Sequence, residues 1–119
     1  MRAALRETYT LDDGAEIGAY SADDPSSGGA WVRLVVGPAD GPGEESFDVF
    51  VCTPAWLQES VSDSGPQIGR HLLVVETLDL TAAVAFLRQH VESLEAADWR
   101  GLAEQLARIG HWEFEDHTP

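Results

Sequence analysis

The apolar residues of this chain change their period along its length, and that change limits what it can fold into. Trp31-Val32-Arg33-Leu34-Val35-Val36, Phe47-Asp48-Val49-Phe50-Val51-Cys52 and His71-Leu72-Leu73-Val74-Val75-Glu76 are β-branched and aromatic runs of strand length. After them, Leu80, Ala83, Val84, Leu87, Val91 and Leu94 recur at helical spacing, as do Trp99, Leu102, Ala103, Leu106 and Ile109. Strands first and helices later is the order of an α+β domain. The expected architecture is an antiparallel sheet of about four to five strands. Two longer C-terminal helices pack on one face of it, and one short helix follows the third strand.

Local signals place the boundaries. Residues 3–11 alternate weakly as a first strand, and Asp12-Asp13-Gly14 is a turn signal. Residues 21–29 and 37–45 read as flexible loops by composition, and Gly37-Pro38 is read as stopping the strand that starts at Trp31. The second and third strands then form an antiparallel hairpin. Phe47, Val49 and Val51 share one face of it, and Asp48, Phe50 and Cys52 the other. Thr53 can cap a helix whose first residue is Pro54, and this helix should end between Ser60 and Ser64. The run from His71 to Glu76 looks like a buried strand. Asp79 or Thr81 opens the first long helix; Asp98 opens the second, which should run to Ile109 and stop at Gly110. A last strand follows: His111-Trp112-Glu113-Phe114-Glu115-Asp116-His117. Trp112 and Phe114 point one way, toward a core; His111, Glu113, Glu115 and His117 point the other.

At 119 residues the chain has the size of one domain, spanning 1–119. Its 44% hydrophobic content is enough for a core. No apolar run approaches the roughly 20 residues of a membrane helix. Residues 1–7 hold no apolar stretch long enough for a secretory signal, and the single Cys52 rules out an internal disulfide. These points together favour the cytoplasm as the expected location. The net charge is −14, from 21 acidic residues against 7 basic ones, all of them arginine. Such a surface repels nucleic acid and anionic membranes; it either attracts a basic protein or serves only solubility, and charge alone does not choose between these.

Catalytic chemistry finds little support. His111, Glu113, Glu115 and His117 share a strand face, but neighbours there sit about 6–7 Å apart, so a metal would need a further ligand from elsewhere. His71 and His90 are remote in sequence. No metal and no cofactor is expected. Cys52 precedes a helix start, where a thiol is activated, but no histidine is placed beside it by spacing, and a structural role is expected. The acid pairs Asp12-Asp13, Asp23-Asp24, Glu44-Glu45 and Glu115-Asp116 lie in turn-rich or terminal stretches without a pocket. No phosphate loop, dinucleotide fingerprint or nucleophile elbow occurs. Of the four tryptophans, Trp99 and Trp112 read as core, and Trp56, on a short helix, is the best placed for partial exposure.

Three segments together resemble a known family. They are Phe47-Asp48-Val49-Phe50-Val51-Cys52-Thr53-Pro54-Ala55-Trp56-Leu57, Gly69-Arg70-His71-Leu72-Leu73-Val74-Val75-Glu76, and Arg108-Ile109-Gly110-His111-Trp112-Glu113-Phe114-Glu115-Asp116. With Val91-Glu92-Ser93 and Trp99 between them, they are similar to the immunity protein 8 family of bacterial polymorphic toxin systems, over about residues 30–117. The resemblance implies a cytoplasmic inhibitor, not an enzyme, that binds a cognate toxin domain and neutralises it in the producing cell or its kin. It carries no functional residues across. The acidic surface fits a toxin with a basic face. The expected contacts are Glu113, Glu115, Asp116, Asp23, Asp24, Glu44, Glu45 and Trp56. The alternative is a small acidic regulatory interaction module without a toxin, which could be a homodimer through an open sheet edge.

Overall fold

β2 (Gly29–Pro38) and β3 (Glu45–Cys52) form the antiparallel hairpin on which everything else is laid, with register from Gly29↔Cys52 to Val36↔Glu45. The computed structural model describes residues 1–12 and 14–113. β1 (Ala3–Thr10) pairs antiparallel with the outer side of β2. The opposite side of the sheet is shared. β4 (Leu72–Val74) runs along the second half of β3, and β5 (His111–Trp112) along its first half. The helices are α1 (Pro54–Ser64), α2 (Leu80–Ser93) and α3 (Trp99–Leu106), with a 3₁₀ turn at Ile17–Ala19. The fold is α+β.

Strand periodicity decides which face is covered. Ala30, Val32, Leu34 and Val36 of β2 and Phe47, Val49 and Val51 of β3 are buried in one core with the stripes of α2 and α3. In α2 the buried residues are Leu80, Ala83, Val84, Leu87 and Val91; in α3 they are Leu102, Ala103 and Leu106. Each large side chain taken fully out of water here stabilises by about 1.5–3 kcal/mol. The other sheet face lies opposite these helices.

The caps follow the sequence. Thr53 accepts from the Trp56 amide at 3.3 Å, Asp79 from Ala82 at 3.2 Å and Asp98 from Gly101 at 2.9 Å. Each satisfies an amide that the first helical turn leaves without a partner. In β1 the register shifts between Leu5 and Glu7. This bulge puts Glu7 opposite Val35, on the uncovered face, while Leu5 and Thr10 stay buried. Without it, strand alternation would turn Glu7 into the core.

Several boundaries differ from the sequence reading. β4 is parallel to β3, because the intervening chain crosses over through α1 instead of turning back directly. Nor is it a buried strand: Leu72 and Leu73 are half-buried, Val74 at the sheet edge is 50% exposed, and His71, just before β4, is the buried residue of the run. Gly37-Pro38 does not stop β2, whose pairing with β1 extends to Pro38↔Ala3. α3 ends at Leu106, before Ile109. Gly110 serves a close approach: a Cβ there would lie 3.0 Å from the Cβ of Phe47 and 3.2 Å from Val49. Trp99 and Trp112 pack against the core as expected but are only half-buried. Of the expected last strand, residues 114–117 lie outside the described residues.

Candidate functional site

The structure separates the expected contact residues into two groups. Asp23 and Asp24 are exposed in the loop that enters β2 beside Gly29. Glu44 and Glu45 lie at the turn between β2 and β3, at the far end of the hairpin. A β2 segment from Gly29 to Val36 spans about 23 Å at the usual strand rise, so the two acid pairs cannot form one patch. Glu113 is exposed and follows Trp112, which pairs with Phe47, so it belongs to the Glu44–Glu45 end. Trp56 belongs to the Asp23–Asp24 end, through its contact with Phe50. Glu115 and Asp116 lie outside the described residues.

At the turn end, one carboxylate holds two indoles. Trp99 Nε1 donates to Glu45 Oε1 at 2.9 Å, and Trp112 Nε1 donates to Glu45 Oε2. Trp112 also stacks on Phe47, with ring centroids 6.2 Å apart and planes at 23°. A half-buried indole N–H needs an acceptor, and Glu45 supplies one to each. Sequence reasoning missed this clasp. A signal was present: Glu45 has the strand parity of Phe47, which turns it toward the helices.

At the loop end, Asp24 Oδ1 accepts from the Ser26 hydroxyl at 2.7 Å and from its amide at 3.0 Å. The Ser26 hydroxyl, then its amide, hold the Asp24 carboxyl below its ordinary pKa. Thr53 ties the same loop to α1, accepting from the Gly28 amide at 3.2 Å.

The uncovered sheet face carries two contrasting rows. One is polar and crosses four strands: Tyr9, Arg33, Asp48 and His111 stand opposite one another in register. Arg33 donates to Asp48 through Nε at 2.8 Å and Nη2 at 2.9 Å. That bidentate pairing pushes the guanidinium pKa up, so Arg33 stays charged. At the end of the row the His111 ring lies 5.7 Å from the ring of His71, whose Nε2 donates to the Ala107 carbonyl at 2.9 Å.

The second row is apolar. Leu11, just beyond β1, donates its amide to the Trp31 carbonyl; Trp31 stands opposite Phe50, and Phe50 opposite Leu72. Trp31 and Phe50 have centroids 5.1 Å apart at 54°, and Phe50 and Trp56 4.7 Å apart at 56°. Gly29 makes this approach possible, since a Cβ there would lie 2.5 Å from the Phe50 ring. Trp31 is 39% exposed.

Neither row is a catalytic constellation. Cys52 is fully buried and burial pushes its thiol pKa up, the opposite of what a nucleophile needs. Among the described residues no three His, Cys, Asp or Glu side chains gather to hold a metal. Among them, too, no helix is long and apolar enough to cross a membrane.

Fold and surface together define an acidic α+β domain, with one sheet face covered by helices and the other carrying an aromatic row. The chain belongs to the Immunity protein 8 family, which it matches over residues 3–117. The match begins in β1, so it includes the N-terminal thirty or so residues that the sequence resemblance left aside. Membership implies an immunity protein with a toxin as its protein partner. No curated protein and no solved structure matches the chain.

Proposed function

We propose that this chain is a single immunity domain that binds the cognate toxin domain of a bacterial polymorphic toxin system. It neutralises that toxin in the cytoplasm of the producing cell by occupying its surface, without catalysis. The observation that carries this reading is the family match over nearly the whole chain, residues 3–117.

The charge supports a partner with a basic surface. A net charge of −14 creates a field that draws in a cationic protein and raises its association rate at low salt. Asp23, Asp24, Glu44, Glu113, Glu115 and Asp116 supply contacts or steering in this reading. Glu45 adds charge from within its clasp, and Trp56 supports the contact surface at the loop end.

The test is co-expression with the toxin domain encoded beside this chain's gene. The expected result is a complex that co-purifies and host cells that survive toxin induction. Growth arrest despite full expression, with no complex formed, overturns the proposal.

A further inference from the structure

An antiparallel sheet with one solvated face normally alternates apolar residues inward with polar residues outward. The row containing Trp31 breaks that rule. Leu11, Trp31, Phe50 and Leu72 all stand on the uncovered side, and Trp56 of α1 closes against them. Trp31 is 39% exposed. Apolar patches of this kind on an otherwise charged surface mark contact sites, and tryptophan is among the residues enriched at their energetic centres.

The row is also packed within itself. Phe50 lies between Trp31 and Trp56, and Gly29 leaves room for the Phe50 and Trp56 rings. Side chains already fixed in place lose little freedom on binding. Charge says what binds there. Arg33, the cation nearest the row, is paired with Asp48, and Arg6 lies at the far end of this face over Gly37, while Asp12, Asp23 and Asp24 are exposed at the end of the sheet that holds the row. An indole face with an acidic surround favours a cationic side chain above it.

We propose that the row of Trp31, Phe50 and Trp56 is the docking surface for the basic toxin domain, with an arginine or lysine of that domain against the Trp31 ring. This deepens the function proposed above and rests on it. The acids of the loop end flank the contact directly. Glu44 and Glu113 act on it only through the long-range field.

The experiment compares affinity for the co-encoded toxin domain across variants whose fold is checked by circular dichroism and thermal unfolding. Trp31→Ala and Leu11→Glu change exposed positions of this row; Trp31→Phe keeps an aromatic ring; Phe86→Ala alters an exposed apolar residue on α2 as a control. Trp31→Ala is expected to weaken binding by about thirtyfold or more, mainly through faster dissociation. Trp31→Phe should recover most of this, and Phe86→Ala should match the unaltered protein. If the unaltered protein binds and protects while Trp31→Ala and Leu11→Glu bind equally well, the surface is wrong and the immunity function stands. If the unaltered protein fails to bind the toxin, both fall. A dimer that forms through Trp31 and leaves toxin affinity unchanged by its loss also overturns the surface.

Discussion

Trp99 donates its indole N–H to Glu45 across 2.9 Å, and Trp112 donates to the other oxygen of the same carboxylate. The first indole comes from α3 and the second from β5, so a single residue at the start of β3 fastens a helix and the last described strand.

Replacing that carboxylate should therefore weaken the fold. Glu45→Gln keeps one acceptor oxygen and loses the charge, leaving one indole with a poor partner. We expect a loss of about 1–3 kcal/mol, read from urea unfolding followed by tryptophan fluorescence. Glu44→Gln, one residue earlier and exposed, should stay within about 0.5 kcal/mol of the unaltered protein.

Gly110→Ala places a Cβ 3.0 Å from the Cβ of Phe47, a buried residue on β3. The backbone leading into β5 must then back away from the sheet. A destabilisation of about 1–3 kcal/mol is expected, measured as a lower thermal midpoint. Were Gly110 only a helix stop, Gly110→Asn would be tolerated; the close contact predicts that it is not.

The buried thiol of Cys52 links stability to alkaline pH. Burial raises its folded pKa, so the folded chain holds the proton more tightly than the unfolded one. Its contribution is intact below the unfolded thiol value, about 8.5, and falls as the pH climbs from there toward the raised folded value. Unfolding free energy measured between neutral pH and pH 10 should show this decline, and Cys52→Ala should flatten that part of it. Native alkylation should be slower than that of the urea-unfolded chain by roughly a hundredfold or more.

Charge reversal should discriminate between the two ends of the hairpin. Asp23→Arg with Asp24→Arg is expected to slow toxin association by about tenfold at low salt and to reduce its salt dependence. Glu44→Arg should do less, because it lies at the opposite end of the β2–β3 hairpin from the Trp31 row. Stopped-flow association over a salt series measures both; equal effects would mean that position within the field does not matter.

Much of the fold was legible in local pattern. Phe47, Val49 and Val51 alternate with Asp48 and Phe50, and their burial follows that parity. The α2 stripe from Leu80 to Val91 is buried as its spacing predicts, and Thr53, Asp79 and Asp98 cap the helices they precede. These features depend on residues a few positions apart. Other features depend on pairings that no local rule reaches. The parallel register of β4, the bulge after Leu5 and the place of β5 beside Phe47 are set by crossover geometry and by the shared edge of β3. For that reason Gly110 read as a helix stop instead of a contact.

The proposed contact surface divides in the same way. Acidity, the lack of catalytic motifs and the family resemblance are properties of composition and order, so the sequence by itself determined an acidic α+β domain of immunity type. It also named the acids and Trp56, but it could not say which of them are neighbours. Tertiary structure decided that Asp23 and Asp24 sit with Trp56, that Glu45 is held by two indoles, and that Trp31 stands exposed beside Phe50. The physical reason is distance. A hairpin of this length keeps its two ends about 20 Å apart, while cross-strand register brings together side chains from β2, β3 and α1 that the chain itself keeps far apart.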